Sequence, residues 1–237
     1  MEWSDQAFVL SSRPYGEGSA LIALLTREHG RHNGLVRGGA SRRERGTYQP
    51  GNKVAAIWKG RLEEQLGNLR CEALGPGPAA FLDDPSRLAC ISASCALCEF
   101  VLPEREPHAV LFDAVEALLA SLAGEDWASV YVRWELALLR ELGFGLDLSC
   151  CAATGRNDAL AYVSPKSGRA VSLSAGEPYR DRLLALPSFL IEGGPGDSDA
   201  VLSGLRLTGF FLDRHVAAPK QQKLPAARTR FIDRLRG

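Results

Sequence analysis

The sequence predicts an α+β protein in two parts: an N-terminal five-stranded β-barrel of the OB type, then a helical domain that carries a small inserted β-hairpin. Three observations predict this fold class. Short apolar or alternating runs fill residues 1–75, a 3.6-residue apolar period begins after the Gly- and Pro-rich segment 75–80, and two β-type runs interrupt that period near residues 161–173. We place the barrel at 1–78 and the helical domain at 79–237, with the hairpin region at about 149–178.

The first 75 residues contain five short runs with the composition and length of β-strands. Turn signals separate them, among them Pro14-Tyr15-Gly16, His29-Gly30 and Pro50-Gly51. Five strands with a longer insert between the third and the fourth are typical of a small OB-type barrel. The predicted strands are Gln6–Arg13, Ser19–Arg27, Arg31–Arg37, Val54–Lys59 and Gln65–Ala73.

Beyond residue 80 the apolar residues recur with the period of amphipathic helices. Residues 161–164 and 169–173 interrupt this pattern with two short runs joined by Pro165-Lys166-Ser167-Gly168, which predicts a hairpin. Asp197 or Ser198 is placed to cap a later helix, and Pro225 to begin the last one. The predicted inward-facing residues are Leu88, Ile91, Cys95, Cys98 and Leu102, then Trp127, Tyr131, Trp134 and Leu138, then Leu202, Leu205, Gly209 and Leu212.

Composition and hydropathy exclude two classes of protein. Hydrophobic residues make up 46% and charged residues 24% of the 237 residues, which are ordinary values for a globular chain and exclude intrinsic disorder. No apolar run is long enough to cross a bilayer, and the first residues carry acids and no apolar signal core. The sequence therefore predicts a folded cytoplasmic protein that does not enter a membrane.

The charges are unevenly distributed along the chain, although the 28 basic and 28 acidic residues balance. Residues 1–80 hold 11 basic and 8 acidic side chains, residues 81–204 hold 9 and 18, and residues 205–237 hold 8 and 2. A basic head and a basic tail around an acidic middle are expected of a protein with polyanionic partners. An acidic helical surface in the middle would give the same count.

No motif of a catalytic site is present. A P-loop, a zinc-protease helix and a nucleophile elbow are all missing, and Leu21 stands where a dinucleotide loop beginning at Gly16 needs its third glycine. Cys95 and Cys98 have the spacing of a metal pair, but their place on an apolar helix face favours burial as small hydrophobic side chains. These observations predict neither an enzyme nor a small-molecule substrate.

Positive charge in the barrel is the remaining signal. Arg42, Arg43 and Arg45 surround a single acid, Glu44, in the insert between the third and fourth strands. In OB-type barrels the loops after the first and fourth strands and the face of the second and third bind oligonucleotides. Arginine forks bind phosphate oxygens and aromatic rings stack on bases. The predicted DNA-binding residues are Arg13 and Tyr15 after the first strand, Arg37, Arg42, Arg43 and Arg45 in the insert, and Lys53, Lys59 and Arg61 around the fourth strand.

The order of several short motifs resembles the RecO family of bacterial recombination mediators. Each motif is loose, but together they follow the family's order over nearly the whole chain. The matching motifs are Tyr15-Gly16-Glu17 with Ile22, Leu25, Thr26 and Gly30; Gly34–Gly39 with Ser41-Arg42-Arg43; Tyr48-Gln49-Pro50-Gly51; and Trp134-Glu135-Leu136, Leu142-Gly143-Phe144 and Leu146-Asp147-Leu148.

The resemblance implies a non-enzymatic mediator of DNA repair that binds single- and double-stranded DNA and anneals complementary strands. It also implies two partners, RecR and the acidic tail of the single-strand binding protein, with which such proteins help to load RecA onto gaps. A nucleoid-associated place in the cytoplasm follows from that role. No metal or catalytic residue is implied by it.

The zinc finger that many relatives carry at the hairpin is not complete in this sequence. Cys151 fills the first position of the cysteine set, Thr154 stands at the second, and no cysteine follows residue 151. A tetrahedral zinc site needs four ligands. We therefore expect no zinc and no other cofactor.

Two other functions remain open on the residues alone. One is a protein–protein adaptor with a structural barrel and a basic tail, after residue 205, that docks an acidic peptide. The other is an RNA-binding module, because OB faces take either nucleic acid. Tail substitutions that abolish partner recruitment would favour the first, and competition between DNA and RNA of equal length would test the second.

Overall fold

The computed structural model describes residues 1–62 and 65–237, which form two compact units. The first unit consists of Met1–Asp113 and Pro225–Phe231, and the second of Ala114–Leu224 and Ile232–Gly237. This division follows packing within the folded chain. The domain boundary predicted after residue 78 stays a prediction.

Five strands close into a barrel at the N-terminus, which confirms the predicted fold class. They follow one another around the barrel in the order β1-β2-β3-β5-β4, and β3 and β5 run parallel while the other neighbours are antiparallel. This is the topology of a five-stranded OB-type barrel. The strands are β1 Glu2–Tyr15, β2 Ser19–Thr26, β3 Arg31–Val36, β4 Lys53–Lys59 and β5 Gly67–Ala73.

β1 is longer at both ends than the predicted strand Gln6–Arg13, because it serves two neighbours. Residues 2–8 pair with β4 and residues 7–15 pair with β2, with a register shift between Val9 and Ser11. Such an irregularity bends a strand and lets it turn around a barrel. Arg13 and Tyr15 therefore lie within β1, opposite Leu21 and Ser19, and not in a loop after it.

The barrel interior is packed around Trp58, which is fully buried on β4. Gly67 at the start of β5 lies against the indole ring, and a Cβ there would come within 2.3 Å of the ring atom Cε2. Gly34 on β3 is similarly close to Leu69, since its Cβ would lie 2.6 Å from the Leu69 Cβ. The two glycines therefore allow β3, β4 and β5 to approach one another.

Helix α1, Pro85–Val101, packs on the barrel. The Asp84 carboxylate caps its N-terminus by accepting from the N–H groups of Ser86 and Arg87, each at 3.0 Å. The Cys95 thiol donates to the carbonyl of Val9 on β1 at 3.5 Å. Four of the five residues predicted to face inward on this helix, Ile91, Cys95, Cys98 and Leu102, are buried as expected, and Leu88 is half-buried.

Helical structure continues through most of the rest of the chain. The predicted stripe Trp127, Tyr131, Trp134 and Leu138 is buried. No helix in the described ranges is long and apolar enough to cross a membrane. The helices are α2 Ala109–Ser121, α3 Trp127–Glu141, α4 Leu173–Gly176, α5 Phe189–Glu192, α6 Ser198–Leu212 and α7 Ala226–Arg236, with 3-10 turns at Gly77–Phe81 and Glu177–Arg182 and a π-type turn at Asp213–Ala217.

The inward face of α6 differs from the predicted one. Asp197 caps the helix as expected, accepting from the Ala200 N–H at 2.8 Å. However, Leu202 and Gly209 are only half-buried, whereas Thr208 is fully buried. Leu205 and Leu212 are buried as predicted, but the Thr208 hydroxyl donates to the carboxylate of buried Glu135 on α3, so the buried face of α6 also carries a polar pair that the apolar pattern did not predict.

The predicted hairpin is present as β6, Leu160–Val163, and β7, Ala170–Ser172. A third strand, β8 at Leu184–Ala185, pairs with the other edge of β6 and gives the order β7-β6-β8. The sequence did not predict β8, because two residues carry no readable alternation.

Replacement of Gly67 by alanine tests the closure of the barrel. We expect Gly67→Ala to lower the free energy of unfolding by about 1–3 kcal/mol, because the new methyl group overlaps the Trp58 ring. Urea unfolding followed by tryptophan fluorescence measures the change. Gly46→Ala is the matched control, since a Cβ there meets no atom within 4 Å. Equal stability of the two variants would contradict this account of the barrel.

Candidate nucleic-acid interface

Residues 37–52, which we call the insert, connect β3 to β4 as a series of ordered turns. The Arg45 N–H donates to the Ser41 carbonyl at 3.0 Å, and the Thr47 N–H to the Glu44 carbonyl at 3.0 Å. The buried Asn52 side chain donates to the carbonyls of Gly46 and Thr47 at 2.7 and 2.9 Å. The backbone of the insert is therefore held in place by its own hydrogen bonds.

Four arginines of the insert are exposed: Arg37, Arg42, Arg43 and Arg45. None of them makes an ion pair within residues 1–62 and 65–237. The insert contains one acid, Glu44, and it is half-buried. This end of the barrel thus presents guanidinium groups whose charge is not neutralised by a neighbouring carboxylate in the described structure.

The turn between β1 and β2 lies beside the insert. The Ala40 N–H donates to the Gly18 carbonyl at 3.3 Å, which joins the two loops. Tyr15, the last residue of β1, is 52% exposed at the base of this turn. The structure therefore places a free aromatic ring at the same end of the barrel as the insert arginines.

The three predicted contacts around β4 lie at the two ends of this strand. Lys59 pairs in register with Glu2 at the far end of β1 from Tyr15, and its Nζ lies 3.0 Å from the Glu2 carboxylate. Arg61 follows in the exposed loop after β4. Lys53 begins β4 and is half-buried. Lys53 directly follows the insert, and Lys59 lies in register with Asn68 of β5, which pairs in turn with Leu35 near the end of β3.

Carboxylates of Glu99 and Asp113 pair with Arg13 on β1 and with Arg27, which follows β2. The Arg13 Nη2 donates to the Glu99 carboxylate at 2.7 Å, and the Ser11 hydroxyl donates to the same oxygen at 2.9 Å. Just after β2, Arg27 donates to both oxygens of Asp113 at 2.5 and 3.2 Å. Arg13, although predicted to bind DNA, is thus occupied in an ion pair on the barrel surface.

Arg31 and Asn33 on β3 also bind oxygen atoms of residues 102 and 104. The Arg31 Nε donates to the Leu102 carbonyl at 2.9 Å, and its Nη1 lies 3.3 Å from the Glu104 carboxylate. The Asn33 amide donates to Glu104 at 2.5 Å. Part of the acidic middle of the sequence therefore neutralises the barrel locally, along the strands where OB-type barrels often bind their ligand.

Arg70 on β5 is a basic residue that the sequence interpretation missed. It is exposed, and it lines a cleft of about 480 Å³ together with Arg37 of the insert. The signal was present in the alternation of β5, where Gly67, Leu69 and Cys71 are buried and the residues between them are exposed. Arg70 belongs with the insert arginines as a candidate phosphate contact.

The hairpin region holds two adjacent cysteines, Cys150 and Cys151, where a zinc site would need four ligands. Cys151 is fully buried, and its sulfur accepts from the Ser172 N–H at 3.2 Å. In the ranges that the structure describes, no three His, Cys, Asp or Glu side chains form a group that could hold a metal ion. These residues do not fit tetrahedral zinc. The expected absence of zinc stays a prediction.

The Cys151 sulfur is surrounded by hydrogen-bond donors. Burial raises the pKa of this thiol, but hydrogen bonds from Ser172, Thr154 and the Ala153 backbone outweigh that effect and lower the pKa from 9.0 to about 6. Cys71 behaves in the opposite way, as burial alone raises its pKa to about 12. Cys95 and Cys98 are buried in the core, as predicted, and burial raises the pKa of both thiols.

A five-stranded OB-type barrel followed by helices and a small three-stranded sheet defines a class of small-barrel α+β proteins. The family model for the Recombination protein O N terminal region matches residues 1–75, and the model for its C terminal region matches residues 82–224. The chain belongs to the RecO family.

Curated relatives match over the full length of the chain. A DNA repair protein RecO from Rhodospirillum centenum is 60% identical over 238 residues, which cover 100% of this chain and 95% of the relative. A protein of the same name from Rhodospirillum rubrum is 53% identical, covering 100% of this chain and 97% of the relative. A third, from Phenylobacterium zucineum, is 52% identical, covering 99% and 98%.

The lowered pKa of Cys151 predicts a pH dependence of stability. An acid whose pKa is lower in the folded state than in the unfolded state stabilises the fold above its unfolded pKa, and this stabilisation is lost as the pH falls to the folded pKa. We therefore expect the free energy of unfolding to decrease as the pH is lowered from about 9 to about 6, by at most about 1.4 kcal/mol per pH unit. Urea unfolding at a series of pH values measures this slope.

Two cysteine variants identify its source. Cys151→Ser should remove the slope, whereas Cys150→Ser, at the neighbouring half-buried thiol, should retain it. A slope that survives in Cys151→Ser would mean that another group titrates.

Proposed function

We propose that this protein is a non-enzymatic recombination mediator of DNA repair that binds DNA through the insert arginines of its barrel. The observation that supports this most directly is the exposed group Arg37, Arg42, Arg43 and Arg45, held on an ordered backbone without carboxylate partners in the described ranges. The names of the relatives, DNA repair protein RecO, support the same process. Arg70 and Tyr15 extend the contact surface.

Such a surface would bind phosphates and would not select a sequence. Guanidinium groups bind phosphate oxygens through charge-assisted hydrogen bonds, and each phosphate contact releases counterions, so that affinity falls steeply with salt. Both single and double strands offer this backbone. Annealing of complementary strands would follow if two strands were bound together, and with RecR the protein would then help to load RecA onto DNA coated by the single-strand binding protein.

A salt series with a charge-reversed insert tests the DNA interface. In the variant Arg42→Glu, Arg43→Glu, Arg45→Glu, the affinity for single-stranded DNA should fall about tenfold or more at low salt. The slope of log affinity against log salt should become less steep by about 2, since each lost contact to a single strand contributes about 0.7. Fluorescence anisotropy of a labelled oligonucleotide measures both quantities.

The matched control reverses three exposed arginines of the second unit, Arg156, Arg180 and Arg182. It changes the net charge equally and should leave the affinity within about twofold, because exposed ion pairs contribute little. If the insert variant binds as tightly as the control, the insert is not the DNA interface. Stronger binding of RNA than of DNA of equal length would favour the RNA-binding alternative.

A groove in the second unit supports a second role, the docking of an acidic peptide such as the tail of the single-strand binding protein. The groove has a volume of about 340 Å³. Arg133 at its edge is fixed, since its Nη2 donates to the Phe189 carbonyl at 3.2 Å, while Arg140 is exposed and makes no ion pair within the described ranges. The residues lining the groove are Arg133, Leu136, Ala137, Arg140, Gly145, Leu146 and Leu148.

This lining combines leucine side chains with two guanidinium groups. It is therefore complementary to a peptide that carries carboxylates next to an apolar end. The adaptor hypothesis instead assigns such a peptide to the basic tail, where Arg230 and Arg234 are exposed on α7.

Charge reversals distinguish the groove from the tail. Arg140→Glu should weaken binding of a labelled acidic peptide with an apolar C-terminal residue by about tenfold, because one attractive charge becomes repulsive. Arg182→Glu, an exposed position outside both the groove lining and the tail, is the matched control and should have little effect. Loss of peptide binding in Arg230→Glu, Arg234→Glu with full binding in Arg140→Glu would assign the peptide to the tail.

A further inference from the structure

The cleft that contains Arg37 and Arg70 opens where the insert, the end of β3 and the start of β5 meet. Its volume is about 480 Å³. Three apolar side chains contribute to its lining: half-buried Leu35 and buried Val36 and Leu69. Val36 and Leu69 belong to the buried core of the barrel, so Leu35 is the most exposed apolar side chain of the cleft.

The walls of the cleft are held by hydrogen bonds and by strand pairing. The buried Tyr48 hydroxyl, on the insert side, accepts from the Cys71 N–H of β5 at 3.3 Å. Leu35 and Asn68 face each other in the parallel register of β3 and β5. Burial raises the pKa of Tyr48 to about 12, so its hydroxyl stays protonated and neutral. The cleft is therefore formed before any ligand arrives.

Three exposed polar side chains stand at the edge of the cleft: Arg37, Asn68 and Arg70. Arg37 has no carboxylate partner in the described ranges, and the contact of Arg70 with Glu72 is long, at 3.8 Å, between side chains more than three-quarters exposed. Both guanidinium groups are thus free to bind an anion. The Asn68 amide supplies a donor and an acceptor of the kind that pairs with the edge of a nucleobase.

Glu44 is the acid of the cleft, and it is half-buried. A carboxylate at this point repels phosphate, so an anion is favoured only on the side of Arg37 and Arg70. The same carboxylate can accept from an exocyclic amino group. The cleft therefore has one side suited to a phosphate and, at half-buried Leu35, an apolar contact for a flat ring.

We infer that this cleft holds one unpaired nucleotide of a DNA strand, with its phosphate on Arg37 and Arg70 and its base against Leu35, where the base edge meets Asn68. The inference rests on the proposed DNA-binding function and adds a selection for single strands. A base inside a duplex is stacked and paired, so it enters such a cleft only after it has been extruded, which costs a few kcal/mol. The insert arginines bind the backbone of either form, whereas the cleft accepts only an unpaired base.

The test compares DNA that has bases with DNA that lacks them. Binding of a labelled 15-nucleotide oligothymidylate and of a fully abasic 15-mer with the same phosphates is measured by fluorescence anisotropy. Wild-type protein should bind the thymidylate several-fold more tightly. Asn68→Ala removes no charge and should reduce that preference by about twofold to tenfold, the range that one net hydrogen bond supplies.

Matched variants show where the preference comes from. Arg70→Ala should weaken binding of both oligonucleotides, and Arg156→Ala, which removes one exposed charge from the second unit, should weaken them much less. Tyr15→Ala removes the exposed ring at the β1–β2 turn and serves as the competing source of base contacts. All four residues are exposed, and thermal unfolding verifies that each variant folds.

The outcomes separate this inference from the proposed function. Wild-type protein that binds neither oligonucleotide at low salt would contradict DNA binding itself. Equal binding of both would leave DNA binding intact and overturn the nucleotide cleft. A preference for bases that persists in Asn68→Ala and disappears in Tyr15→Ala would also overturn it, because the bases would then be recognised at the turn.

Discussion

The short parallel pairing of β3 with β5 is the constraint on which the rest of the barrel depends. Only Gly34 with Gly67 and Leu35 with Asn68 are in register, yet these pairs close the barrel. Parallel strands cannot be joined by a tight hairpin, so the chain must cross over between them. The crossover here consists of the insert, β4 and the loop after β4. Because β5 continues past the last residues of β3, its exposed residues come to lie beside the insert.

Ion pairs within the first unit divide its arginines into two groups. Arg13, Arg27 and Arg31 are neutralised by carboxylates between residues 99 and 113, and they hold the helical segment against the barrel. The insert arginines lie beyond the reach of these carboxylates. A charge count along the chain reports both groups as basic, although only the insert arginines lack a carboxylate partner in the part of the chain that the structure describes.

The sequence predicts the elements of this fold more completely than their contacts. Alternation identified all five barrel strands, and the helical period identified Trp127, Tyr131, Trp134 and Leu138 as buried. The ends of β1 were missed because its first residues are mostly polar and follow no apolar pattern. The ion pair of Arg13 was not predicted, because its partner Glu99 is 86 residues away in the chain, and the DNA contact of Arg13 stays a prediction. Pairing over such separations depends on how the helix packs, which local patterns do not encode.

The arrangement of the insert explains how a barrel can keep several unpaired arginines close together. Like charges on neighbouring turns repel one another, and this cost is tolerated because the Asn52 side chain and the Tyr48 hydroxyl fix the backbone from inside. Glu44, half-buried among them, offsets part of the repulsion. A bound phosphate chain would remove the remainder, and the fixed backbone would lose little entropy on binding. The interior polar contacts of the insert are therefore as necessary to a polyanion interface as the arginines on its surface.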